Sequence, residues 1–244
     1  MKKYIQIGIR TKIETSSWDV GDVFLASLEN SGISPEQVSN NADKFTDKFL
    51  SRSESEKYWS SPAILVSNGI KINFYQDFAW RRKHVVRSSG YVVHRKLNLK
   101  SQIVPGIVNF RSDIDNKVDF YLLFRQWCEI FQPQIAMLHL FSELEVNKNN
   151  KNDSFQIGSF NSLMKPEIPD MAWAMFYSEE FFLDVDFKKI YEAGFLVEKI
   201  NFGYLIRVTN SIENVFTDFK NFSDRRIELK KFFHKDMFLS GSNE

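Results

Sequence analysis

Apolar side chains alternate at the start of the chain. In "YIQIGI", Ile5, Ile7 and Ile9 face away from Tyr4, Gln6 and Gly8, a period of two that predicts a half-buried strand. The period then lengthens, because Val20, Phe24 and Leu28 recur at helical spacing. Ser17 suits the cap of a helix starting at Trp18, Asp19 and Asp22 suit its positive start, and Gly32 its stop. Residues 36 to 60 are polar with loosely spaced apolar positions, which predicts a short helix and a loop. In "AILVSNGIKINF" (63 to 74), two β-rich runs flank Asn68-Gly69. The pattern predicts a hairpin, with that dipeptide as a turn of positive φ. "GYVVHRKLNL" (90 to 99) and "GIVNFRS" (106 to 112) read as further strands.

From Asp115 to Phe131 the pattern is helical, with Val118, Leu122, Phe124, Trp127 and Cys128 to Phe131 on one face. Pro133 ends that helix, and "QIAMLHLF" reads as a buried strand. The low-complexity "NKNNKNDS" (147 to 154) reads as an exposed loop. "DFKKIYEAG" predicts a short helix stopped by Gly194. "FLVEKINFGYLIRVT" predicts a hairpin with Gly203 at the left-handed position of its turn. The chain finishes helically. Ile212, Val215, Phe216 and Phe219 share a face, and a last helix starts at Ser223 with Phe222 and Ile227 as a staple. Strands and helices mix without βαβ alternation. The expected class is therefore α+β, an antiparallel or mixed sheet built on hairpins with packed helices and a C-terminal helical segment. It forms a single domain over 1–244, or two sub-halves meeting near 147–154.

Composition narrows the function more than the fold. Among 244 residues, 43% are hydrophobic and 24 are Phe, so aromatic rings fill much of the core. A net charge of +1 argues against a dedicated nucleic-acid binder, which usually carries a basic excess. The lone Cys128 excludes an internal disulfide and a cysteine zinc site. The apolar run before Arg10 is too short for a signal peptide, and no stretch approaches the roughly 20 apolar residues of a membrane helix. A soluble, cytoplasmic protein with no membrane partner is the expectation.

Candidate chemistry is sparse. His84, His94, His139 and His234 include no i, i+4 pair with a glutamate of the kind zinc hydrolases use. The "DID" (113 to 115) and "DVD" (184 to 186) triplets suit helix starts or a solvated surface as well as a metal. Pro169-Asp170 with Glu228-Leu-Lys230 has the residue types of a metal-dependent nuclease. However, Glu228 and Lys230, two apart on a predicted helix, do not face each other. No catalytic residue, cofactor-binding residue or metal ligand is assigned, and no enzyme is expected.

Charge is uneven along the chain. Arg81 to Lys100 holds seven basic residues and no carboxylate. Glu167 to Glu198 holds eight carboxylates against Lys188 and Lys189, interleaved with Trp173, Phe176, Tyr177, Phe181 and Phe182. For each run the plain reading is a solvated face, and for Trp173 and Phe176 it is core. The sharper reading of the acidic run is a surface that docks a basic protein.

"PDMAWAMFYSEEFF", followed by "GFLVEKINFGYLIRVTNSIENVFTDFKNFSDRRIELKKFF", carries a resemblance. Its features are Trp173-x-x-Phe176, the hairpin ending in "RVTNSI", and the closing helix around Phe222, Arg225, Arg226 and Lys230. With "FAWRRKHV" and "VDFYLLFRQWCEIFQPQIAMLHLFSELE" upstream, residues 78 to 238 resemble the bacterial immunity protein 52 family of polymorphic toxin and type VI secretion systems. The resemblance implies a cytoplasmic antitoxin that binds and blocks one cognate toxin, often a nuclease of restriction-endonuclease-like fold. On that reading Glu179, Glu180, Asp184 and Asp186 supply charge to the toxin-binding surface, Tyr177 is an aromatic anchor, and neither direct nucleic-acid binding nor a cofactor is expected. The alternatives are a nucleic-acid-binding module using 81 to 100 with Trp80 and Tyr91, and an enzyme of unassigned chemistry.

Overall fold

Buried backbone must pair, so long apolar runs in this chain become strands with partners on both sides. A computed structural model describes residues 3–67, 70–98, 100–145, 168, 170–200, 202–234 and 237–238. It divides into two compact units, Thr11–Gln132 and Met1–Arg10 with Pro133–Glu244. A boundary at 147–154 lies outside the described residues. In chain order the first elements are β1 (Tyr4–Thr11), α1 (Trp18–Asn30), β2 (Gln37–Ser39), β3 (Asp47–Lys48) and α2 (Arg52–Trp59). The hairpin β4 (Pro62–Ser67) and β5 (Ile70–Tyr75) follows, then β6 (Phe78–Arg82), β7 (Ser88–Val93), β8 (Lys96–Leu97), β9 (Ile103–Val104), β10 (Gly106–Asp113) and α3 (Phe120–Phe131).

In the Thr11–Gln132 unit, β10, β7, β6, β2 and β3 lie side by side and pair antiparallel. The strands β2, β3 and β6 do not stand out in the sequence, because two are very short and the third runs Phe78-Ala79-Trp80-Arg81-Arg82 without alternation. The predicted hairpin is present as a separate two-stranded ladder with Ser67 opposite Ile70; its Asn68-Gly69 turn lies outside the described residues. Rings fill the core here. Phe24 of α1 sits 5.0 Å from Trp80 and 5.1 Å from Trp127. Two indoles keep their N–H groups satisfied, Trp127 donating to Ser27 Oγ at 2.7 Å and Trp59 to the Thr15 carbonyl at 2.9 Å. Cys128 is fully buried in this core.

Helix α3 begins five residues later than the pattern predicts. Asp115 accepts the Lys117 N–H in a local turn, and Asp119 caps the helix by accepting the Leu122 N–H, each at 2.8 Å. Leu122 consequently faces solvent, while Leu123, Phe124, Trp127, Cys128 and Phe131 face inward. Gln132, at a φ of 39°, turns the chain out of the helix in the left-handed conformation before Pro133.

The other unit continues with β11 (Pro133–Phe141), β12 (Ala174–Ser178), a single 3-10 turn (Glu179–Phe181), α4 (Phe187–Glu192), β13 (Leu196–Ile200), β14 (Gly203–Arg207), α5 (Asn214–Thr217) and α6 (Phe219–Lys230). Its strands run β13-β14-β12-β11-β1, and every residue of β11 and β12 is buried. Gly203 corrects an expectation. It is not at a left-handed turn position; it opens β14 opposite Ser178 of β12, where a Cβ would lie 2.3 Å from the Tyr177 carbonyl oxygen. Close strand approach, not turn geometry, requires glycine there.

The final helix also differs from its prediction. It starts at Phe219 with Asp218 as the flanking residue, so Ser223 is interior and Ile227 is exposed rather than stapled. The buried stripe is Phe222, Arg226 and Leu229, and its central position is an arginine that a hydrophobicity pattern counts as outward-facing. Antiparallel strands with packed helices, including the C-terminal ones, make the fold α+β.

Candidate functional site

The acidic stretch leaves β12 at Ser178 and folds into a short, braced loop. Buried Phe181 and Val185 pin it to the unit, and the residues between them face outward. Its backbone is bonded at several points. Glu179 N–H donates to the Phe202 carbonyl at 3.1 Å, Phe182 N–H to Glu179 at 3.1 Å, and Asp184 N–H to Phe181 at 3.0 Å. From the segment after α6, His234 N–H donates to the Asp184 carbonyl at 2.9 Å, and Val185 forms an antiparallel bridge with Phe233. Asp186 then caps α4, accepting the Lys189 N–H at 3.1 Å and pairing with the Lys189 ammonium at 2.8 Å. Those bonds hold its carboxyl below the usual carboxylate range.

Four of the five sequence-assigned residues therefore reach the surface. Glu179 and Glu180 are exposed, and Asp184 and Asp186 are half-buried. Glu180 accepts from the Gln134 amide at 2.9 Å, and Gln134 accepts in turn from buried Arg10 at 2.8 Å. Burial pulls the Arg10 guanidinium's pKa down, and the charge of Glu180 acts against that.

Tyr177 is the correction. Its side chain is fully buried, 5.7 Å from the Phe181 ring and 5.4 Å from Phe233, and burial pushes its phenol pKa up. Neighbours on both sides of β12 and rings above it leave no surface to offer a partner; Tyr177 supports the loop from beneath. Trp173 and Phe176 are core, as read.

The outward apolar residues were missed. Leu183 is 100% exposed and Phe182 is 44% exposed. The Phe182 ring packs 5.5 Å from Phe187 and 5.4 Å from Tyr204, which stack on each other at 4.3 Å. A groove of about 640 Å³ adjoins them, lined also by Lys231 and His234. The sequence signal was "FFLDVD": two buried apolar positions four apart force the leucine between them outward.

Other candidates resolve into structure. Asp170 and Lys230 do meet as an ion pair, although far apart in sequence, but Glu228 bonds Arg225 at 2.8 Å instead of joining them. The basic run is engaged within its own unit. Arg81 donates to Gln37 at 2.7 Å, Arg82 to the Val85 carbonyl at 2.8 Å, Arg87 to Asp113 at 3.0 Å and Arg95 to Glu14 at 3.1 Å. Trp80 is fully buried. His94 is held by Thr15 on Nδ1 and the Trp59 carbonyl on Nε2, and burial lowers its pKa. Among the described residues no group of three or more His, Cys, Asp or Glu is placed to hold a metal ion, and no helix is long and apolar enough to cross a membrane.

No protein-family model matches the chain, and no curated protein matches it in sequence. Among solved structures, the Pseudomonas aeruginosa T6SS protein PA0821 is similar, with a TM-score of 0.61 at 10% identity, covering 97% of this chain and 76% of that one. At that identity the likeness is one of fold. No family model supports the resemblance to the immunity protein 52 family read from residues 78 to 238.

Proposed function

We propose that this chain is an immunity-type protein that acts in the cytoplasm, binding a cognate secreted bacterial toxin and neutralising it by protein–protein contact without catalysing a reaction. The observation that carries the proposal is the braced loop Glu179–Asp186, which holds carboxylates at the surface on a fixed backbone. The sequence resemblance and the type VI secretion neighbour support the same reading. A nuclease toxin needs a basic cleft to hold its substrate, and an acidic loop is complementary to such a cleft. The nucleic-acid alternative loses support, since Trp80 is buried and four arginines of the basic run are bonded internally.

The test is calorimetry and a growth assay with the toxin domain encoded beside this chain's gene. Wild-type protein is expected to bind and protect. Glu179→Lys with Glu180→Lys is expected to weaken binding at least tenfold, about 1.4 kcal/mol, with a larger deficit at low salt. Unchanged affinity in that double variant would remove the loop as the site. A toxin domain that the wild type neither binds nor blocks would remove the proposal.

A further inference from the structure

We infer that Leu183 is the apolar anchor of the partner surface, inserting into an apolar pocket on the toxin whose rim carries lysine and arginine. The inference rests on the immunity reading above and adds how the partner is held. An exposed leucine is by itself ordinary. Leu183 differs in its setting. It is fully exposed at the tip of a loop whose flanking residues Phe181 and Val185 are buried and whose backbone is bonded on both sides. A tip already fixed loses little freedom on docking, so the burial of its side chain is realised as affinity.

The surroundings have the pattern of an anchor inside a polar rim. Phe182 extends the apolar area beside it, itself held by Phe187 and Tyr204. Among the described residues the Glu179 and Asp184 carboxylates have no cation partner, whereas Lys188 and Lys189 are paired with Glu192 and Asp186. Lys231 lines the same groove. Asp184, next to the tip in the chain, and Glu179 therefore favour a positive counterpart. Nucleic acid and anionic lipid are disfavoured occupants, because both present phosphates to those carboxylates.

The probe is the same purified toxin domain, titrated against Leu183→Ala and Leu183→Met. Full exposure means neither change touches the core, and unchanged melting temperatures will verify it. Leu183→Ala is expected to weaken binding roughly 10- to 100-fold, the factor that burying a leucine side chain carries, while Leu183→Met stays near wild type. If Leu183→Ala binds as wild type while the Glu179/Glu180 double reversal does not, this inference fails and the acidic docking surface stands. If the wild type does not bind, the immunity reading fails and takes the anchor with it.

Discussion

A carboxylate as deeply buried as Glu145 needs partners, and among the described residues Arg226 and His139 lie against it. Its oxygens accept from the Arg226 guanidinium at 2.9 and 3.1 Å, and Oε1 lies 3.6 Å from His139 Nε2. The Trp173 N–H donates to His139 Nδ1 at 2.9 Å, so the ring proton sits on Nε2 and points toward Glu145. Burial alone would raise the Glu145 pKa; the neighbouring His139 ring and the Arg226 guanidinium outweigh it and hold it at about 2. A folded pKa below the unfolded value of roughly 4.3 means the stabilisation is present above that pH and lost as pH falls toward 2. Glu145→Gln is expected to lower stability by about 3–5 kcal/mol at pH 7, the cost of breaking a buried pair. The gap to wild type should narrow below about pH 4, as read from denaturant midpoints at pH 7 and pH 3. Nothing in the sequence marked this site. Glu145 and Arg226 are 81 positions apart, and pattern reading treats each as a surface charge.

Elements with an unbroken period were legible. The hairpin over 62–75, the all-buried β11 and the hairpin β13–β14 come through close to their expected bounds, because alternation and turn residues act within a few positions. Element starts were less so, since Asp119 and not Asp115 captured the free N–H groups of α3, a choice between two equally suitable caps. Gly203 separates the two kinds of glycine. A Cβ there meets the Tyr177 carbonyl at 2.3 Å and the Phe176 ring at 2.5 Å, whereas at Gly194 it meets open space with only a φ of +79° to strain it. Gly194→Ala is expected to cost about 1 kcal/mol and Gly203→Ala about 1–3 kcal/mol or more, compared by urea unfolding. The larger effect carries a functional cost as well, because Gly203 pairs with Ser178, the residue from which the acidic loop departs.

For the whole molecule, class was readable and arrangement was not. Mixed strands and helices without βαβ repeats indicate α+β, but the order β13-β14-β12-β11-β1 joins the first strand to segments more than a hundred residues on. No local period encodes such a pairing. The candidate surface divides the same way. Its charge was visible as a run, while the inward turn of Tyr177 and the outward turn of Leu183 depend on which positions the neighbouring strands and rings cover. Net charge of +1 gives the molecule as a whole no acidic character, so recognition of a basic partner rests on where the carboxylates sit.

The fully buried Cys128 makes this chain a clock for its own opening. It is the chain's one thiol, and a reagent in water reaches it only when the core of the Thr11–Gln132 unit comes apart. Native protein is expected to resist a thiol reagent that labels denatured protein at once. The slow labelling rate, followed by mass, then times how often that core is breached.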